Sequence, residues 1–233
     1  MIPLRDANPS STRPWVTVAI IIANTLAFLY EVSLSQPRLD RLIFAAGMVP
    51  ARVTVFPSSP EVSFGDAFLP LLSSMFLHGG WLHLIGNMWF LWIFGDNIED
   101  RLGHLRYLLF YLICGLGAGL LHTLLNLSST MPSIGASGAI AGVLGGYLLL
   151  FPRARVLTII PAFFLYMIEL PAYLILAYWF VVQLFSGTAS ILTGTAAGGG
   201  VAWWAHVGGF VMGLALVKVF AQKPPGRLYD EPA

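Results

Sequence analysis

Charge is the scarcest commodity in this chain. Only 10% of its 233 residues are Asp, Glu, Lys or Arg, against about 25% in an ordinary globular protein, so a conventional solvated surface is excluded. The few charges nearly cancel, 12 basic against 11 acidic, which gives no reason to expect a nucleic-acid partner. Cysteine occurs once, at Cys114, and one thiol can build neither a disulfide framework nor a cysteine metal site within a chain. No internal repeat stands out, so an inverted-repeat transporter has little support. A cleavable leader is not expected either: the first apolar run follows Arg5 and Arg13, has no small-x-small end, and reads as a retained helix.

What fills the chain instead is apolar: 57% of it is hydrophobic. Runs near 15–34, 82–95, 107–125, 138–151, 163–185 and 201–217 approach the roughly 20 residues of a spanning helix. They predict an all-α polytopic membrane protein with six transmembrane helices, a membrane domain over 15–221, a cytoplasmic N-terminal segment over 1–14 and a cytoplasmic tail over 222–233. With the N-terminus inside, Arg5, Arg13, Arg101, Arg106, Arg153, Arg155, Lys218, Lys223 and Arg227 fall on the inner side, and only Arg38, Arg41 and Arg52 outside, as the positive-inside rule requires. The expected location is a bacterial cytoplasmic membrane. The long connection over 35–80 is dense in Pro and Ser yet carries Phe64, Phe68, Leu69, Leu71, Leu72, Met75 and Phe76, so it is expected to lie in the membrane interface. The uncharged connections 126–136 and 186–200 are expected to be mobile outer loops.

Polar residues inside such runs are costly and therefore informative. Gly135-Ala136-Ser137-Gly138 opens the fourth run, and Ala205-His206-Val207-Gly208-Gly209 lies in the sixth. At 1.5 Å per helical residue, Ser137 is roughly 24 Å from Arg153, His206 about 26 Å from Lys223 and His83 roughly 24 Å from Glu99. All three reach one level, several ångströms below the outer surface of a core about 30 Å thick. Gly138, Gly142, Gly146, Gly209 and Gly213 give small-xxx-small spacings that let helix backbones approach closely, which is expected to bring Ser137 within hydrogen-bond range of His206.

A serine-type amide hydrolase needs a hydroxyl, a base for its proton, and donors aimed at the oxyanion. Ser137 and His206 supply the first two. His83 and Asn87, four apart on one helix face, supply donors, with the Ser137 backbone N–H if Gly135–Gly138 turns onto a helix N-terminus. No acid stands at this level, since Asp96, Glu99 and Asp100 fall at the inner end of the second run; a Ser-His dyad remains. Singly, a serine in a glycine-rich membrane helix is usually a packing residue and a histidine is as readily a core hydrogen-bonding group. Their conjunction with His78, His83 and Asn87 near the outer side carries the catalytic reading. His122 and Asn126 read as polar anchors, Glu169 as an interfacial helix start between Pro161 and Pro171, and His104 as part of an inner loop. His78 and His83 are five apart, unlike the i,i+4 pair of a helical zinc site, and no carboxylate joins them, so no metal and no cofactor are expected.

At these residues the chain resembles the rhomboid intramembrane serine proteases. The matching pieces are His78-Gly-Gly-Trp-Leu-His83-Leu-Ile-Gly-Asn87, Glu99-Asp-Arg101-Leu-Gly103, Gly135-Ala-Ser137-Gly138 and Ala205-His206-Val-Gly-Gly209 with Gly213. The resemblance implies a six-helix bundle with Ser137 as nucleophile and His206 as general base. It places His83, Asn87, Gly135 and His78 at oxyanion or substrate-binding positions, the fifth helix partly over an outer pocket, and single-span membrane proteins as substrates drawn from the lipid. Some family members carry an aromatic residue four positions after the serine, packed on the histidine. Here that position is Ala141, so the ring of His206 is expected to lean on Trp203, Trp204 or Tyr147. The rival readings are a non-catalytic rhomboid-like protein that binds or retains membrane clients, and a small-solute transporter.

Overall fold

The computed structural model of the chain describes residues 1–161, 165–193 and 201–222. Nine α-helices are described: α1 (Trp15–Ser33), α2 (Gln36–Ala46), α3 (Pro50–Val55), α4 (Phe64–Ser73), α5 (Trp81–Leu102), α6 (His104–Leu124), α7 (Ser137–Leu150), α8 (Ala172–Leu192) and α9 (Trp203–Phe220). Three strands, β1 (Ile2–Asp6), β2 (Arg155–Pro161) and β3 (Leu165–Pro171), form one antiparallel sheet in that order.

Helix α7 is the hub. Every residue from Gly138 to Tyr147 is buried, and a helix without a polar face belongs in the middle of a bundle. Its fullest contact is with α9, followed by α6 and α5. Small residues make the α7–α9 crossing possible: a methyl on Gly209 would overlap the carbonyl oxygen of Gly138, and one on Gly213 the carbonyl of Gly142. The expected close approach of these glycines is what the structure shows. Around this hub the outer faces stay apolar, with Leu82 88% and Leu192 81% exposed, which suits lipid rather than water.

Four helices, α1, α6, α8 and α9, are long and apolar enough to cross a membrane. A fifth span arises if α4 with its following turn and α5, bent by 79°, count as one. Helix α7, at 14 residues, is shorter. The described residues therefore form a mostly helical membrane protein of four or five candidate spans.

The all-α expectation needs correction at the end of the bundle remote from Ser137. Residues 155–161 are rich in β-branched side chains (Val156, Thr158, Ile159, Ile160), which favour a pleated, half-buried surface, and they pair with both neighbouring strands. The fifth run was expected over 163–185, but the helix begins only at Ala172, after Pro171. Glu169 lies in β3 opposite Leu157, not at a helix start. The N-terminal segment is ordered too. Asp6 accepts hydrogen bonds from the Tyr147 hydroxyl and from Asn97 Nδ2 (2.9 Å), and Trp89 Nε1 donates to the carbonyl of Pro3 (2.7 Å).

Carboxylates on the last turn of α5 fix the start of α1. The buried Glu99 accepts the backbone N–H groups of Val16 and Thr17, both at 2.8 Å, so it satisfies two of the four donors a helix start leaves over. His104 Nδ1 lies 2.6 Å from the same carboxylate. Asp100 accepts the hydroxyls of Ser11 and Thr12 and the backbone N–H of Thr12, just ahead of α1. The 35–80 connection folds as α2, α3 and α4, the last opened by a Ser63–Asp66 capping box. The 126–136 connection was expected to be mobile; it is pinned by paired backbone bonds between Met48 and Ser133 and by Gly135 N–H to the carbonyl of Ser74. In the 186–200 connection, Gly187 belongs to α8, while residues 194–200, with Gly194 and Gly198–Gly200, lie outside the described residues. So do Lys223, Arg227 and the tail from 223 onward.

Candidate active site

Ser137 is the first residue of α7, and the preceding Ala136 offers no side-chain cap. The N–H groups of this first turn therefore have no intrahelical acceptor and stand at the positive end of the helix dipole. Gly135 ahead of it has φ +128°, a conformation that favours glycine. A methyl there would also press within 2.8 Å of His83 Nε2 and Cε1. Glycine thus lets the chain turn into α7 while passing against the His83 ring.

His206 sits at 9% exposure in the first turns of α9, and its Nε2 is 2.7 Å from Ser137 Oγ. The two side chains come from helices whose glycine-to-carbonyl contacts set the separation. The other ring nitrogen, Nδ1, lies 2.7 Å from Oε1 of Gln183 on α8. Trp179, one turn earlier on α8, tilts over the ring at 5.8 Å between centroids, and Trp203 meets it edge-on at 6.2 Å. Of the neighbours expected to orient the ring, Trp203 is in contact. Tyr147 is at the opposite end of α7 with Asp6, and Trp204 packs near Gly187. Gln183 was not anticipated.

Two donors face the serine from α5. The backbone N–H of Gly79 donates to Nδ1 of His83 (3.3 Å), so in a neutral ring the proton sits on Nε2, the atom turned toward Gly135. Asn87 is 7% exposed, and its Nδ2 is buried without a hydrogen-bond partner among the described residues. A buried amide donor left unpaired is uncommon in folded proteins, and this one lines the same cavity as Ser137.

These residues share a cavity of about 510 Å³ lined by Leu82, His83, Asn87, Ser137, Trp179 and His206 among others. Its walls belong to α5, α7, α8 and α9. His78 does not reach it: it is 2% exposed and its ring lies behind His83 at 5.1 Å between centroids. The backbone N–H of His78 donates to Glu31 at the end of α1 (3.1 and 3.3 Å), so this turn is held by a buried acid that sequence reasoning passed over. His122 and Asn126 also stay apart, with Asn126 Nδ2 donating to the carbonyl of His122.

The arrangement has a hydroxyl, an imidazole positioned to take its proton, and two side-chain donors on the far side of the same space. Comparison with known proteins bears on the family alone. The family model described as Rhomboid domain matches residues 66–223. RHOMBOID-like protein 6, mitochondrial, of Arabidopsis thaliana is 28% identical over 236 residues, covering 90% of this chain and 70% of that protein. RHOMBOID-like protein 1 of the same plant is 27% identical over 94% of this chain and 56% of its own length, so the chain spans little more than half of that relative. Presenilin-associated rhomboid-like protein, mitochondrial, of Mus musculus is 31% identical over 62% of this chain and 35% of its own. These relatives are eukaryotic, two of them named for mitochondria, and they lend the expected bacterial membrane no support.

Proposed function

The chain belongs to the rhomboid family, and on that premise we propose that it is an intramembrane serine endopeptidase working through a Ser137–His206 dyad without a cofactor. The observation that carries the reading is the 2.7 Å approach of His206 Nε2 to Ser137 Oγ in a cavity that also holds the unpaired Asn87 amide. In the reaction, Nε2 takes the hydroxyl proton as Oγ attacks the scissile carbonyl. The resulting oxyanion receives hydrogen bonds from Asn87 Nδ2, His83 Nε2 and the Ser137 N–H. His206 then returns the proton to the leaving amine, an acyl-enzyme remains, and a water activated by the same nitrogen hydrolyses it.

Substrates in this reading are single-span membrane proteins entering from the lipid, and the bundle comprises six spans with both termini cytoplasmic. Helix α8 packs mainly on α9, less on α7, and makes no extensive contact with α5, which supports entry between α5 and α8. A fluorophosphonate probe tests the reading on the purified protein: labelling is expected in the wild type and absent in Ser137→Ala. A wild type that folds, does not label and leaves transmembrane peptides intact would point instead to the non-catalytic client-binding reading.

A further inference from the structure

We propose that Gln183 is a third, positioning member of this site, which fixes the tautomer and ring angle of His206. The inference rests on the dyad reading and names what replaces the acid of a triad. A neutral imidazole carries one N–H and one bare nitrogen, and only the form protonated on Nδ1 leaves Nε2 free to take the serine proton. Gln183 selects that form. Its Nε2 donates to the carbonyl of Trp179 on the same helix (3.2 Å), so its oxygen is the end that faces His206, and an oxygen 2.7 Å from Nδ1 accepts. The amide is 5% exposed and is held in place by that second bond, while Trp179 and Trp203 limit the swing of the ring.

No other side chain among the described residues is hydrogen-bonded to His206 Nδ1. Among the described residues the one ion pair joins His104 to Glu99, and no carboxylate is bonded to His206. The ionisable groups acting on it are His83 on α5 and His122 on α6. Helices α7 and α8 contribute only tyrosines, and Lys218 lies at the other end of α9. Ala141, four residues after Ser137, is 0% exposed and too short to reach over the ring.

The test compares wild type, Gln183→Leu and Gln183→Glu in lipid vesicles with a transmembrane substrate, Ser137→Ala serving as the inactive reference. Losing the acceptor strands a buried N–H, so Gln183→Leu is expected to lower kcat roughly 10- to 100-fold with KM little changed and the melting temperature near that of wild type. Gln183→Glu restores an acceptor oxygen: kcat is expected to recover most of the loss, with the acidic limb of its pH profile moved upward because a carboxylate stabilises the imidazolium. A residue that only fills space would give wild-type kcat with leucine and no change of profile with glutamate. The wild-type tautomer is read without any variant, from ¹⁵N spectra of labelled histidine with His206 assigned by its loss in His206→Ala. A proton found on Nε2 at neutral pH, or wild-type kcat in Gln183→Leu, overturns the proposal. If Ser137→Ala still cleaves, the dyad reading itself has failed, whatever Gln183 does.

Discussion

Adding one methyl group at Gly209 tests how the two helices set the dyad. In Gly209→Ala the new carbon would overlap the carbonyl oxygen of Gly138, with the Ala141 methyl only 3.3 Å away on another side. The obstacle is backbone and cannot rotate aside. Non-bonded atoms settle near 3.5 Å, so α7 and α9 must part by on the order of 1 Å. Ser137 adjoins Gly138, and His206 lies less than one turn from Gly209, so the opening falls on the 2.7 Å contact; beyond about 3.5 Å it is no longer a hydrogen bond. Overpacking of this kind costs about 1–3 kcal/mol of stability, and a 1 Å misplacement of a catalytic group costs on the order of 10² in rate. The assay is the rate of fluorophosphonate labelling and of peptide cleavage well below the melting temperature, with Gly65→Ala as control, because a methyl there meets only ordinary contacts at 3.6 Å. Wild-type labelling and melting in Gly209→Ala would refute the claim that this crossing sets the dyad.

Ser137→Ala and His206→Ala are each expected to remove nearly all cleavage, and the double variant to be no worse than either, because residues acting as one unit are strongly non-additive; additive losses in kcat would contradict a dyad. Asn87→Ala should lower kcat about 10²–10³-fold, the usual loss for one oxyanion donor, with probe labelling slowed but measurable; a change confined to KM would assign Asn87 to substrate binding. Burial pushes the Asp6 carboxyl up to about 6, with the charge of Asp96 adding to the effect and the Tyr147 hydrogen bond opposing it. The folded state therefore holds this proton more tightly than the unfolded chain, and its contribution to stability is lost as pH rises from about 4 through 6. Asp6→Asn keeps an acceptor for Tyr147 and Asn97, so it should melt higher than wild type at pH 7 and converge with it at pH 4; parallel melting curves across that range would remove Asp6 from the account. Cysteines cross-linking α5 to α8 should slow cleavage of a transmembrane substrate while a small fluorophosphonate still labels Ser137, and full cleavage with the link verified would rule out entry between those helices.

The candidate site was legible where chemistry needs a particular side chain at a particular depth. Ser137, His206 and His83 could be placed at one level because helical rise is regular and charged anchors mark the membrane edge, and Asn87 follows one turn along the same face as His83. Glycine spacing then predicted which helices touch. What escaped was set by non-local pairing. Strand β1 is five residues with a proline inside, and nothing in it foretells a partner at Val156–Ile159. The bounds of the fifth helix were missed because an apolar run reads alike as helix or buried strand until Pro161 and Pro171 are given weight. Gln183 had a signal that was passed over: it is the one amide in the apolar run that forms α8, and polar side chains inside such runs need partners. Glu31, the one acid in the run forming α1, had the same signal.

An amide in place of an acid has a physical logic in this setting. A carboxylate buried beside His206 would need to be desolvated at the level of the membrane core, a cost of several kcal/mol for an unpaired ion, or would take a proton and cease to help. A glutamine is neutral, so it fixes the imidazole tautomer at a far smaller desolvation cost. What it gives up is charge stabilisation of the imidazolium that forms during attack. In the proposed mechanism the compensating charge is the oxyanion itself, generated at the same moment on the opposite side of the serine, where His83 and Asn87 line the cavity. On that reading the ion pair is absent from the ground state and forms only along the attack, in the transition state and the tetrahedral intermediate, which is where stabilisation raises kcat. Because Gln183 is part of α8, the proposed mechanism ties the orientation of the base to the seating of that helix, and the α5–α8 cross-link that blocks substrate entry should leave the His206–Gln183 contact intact.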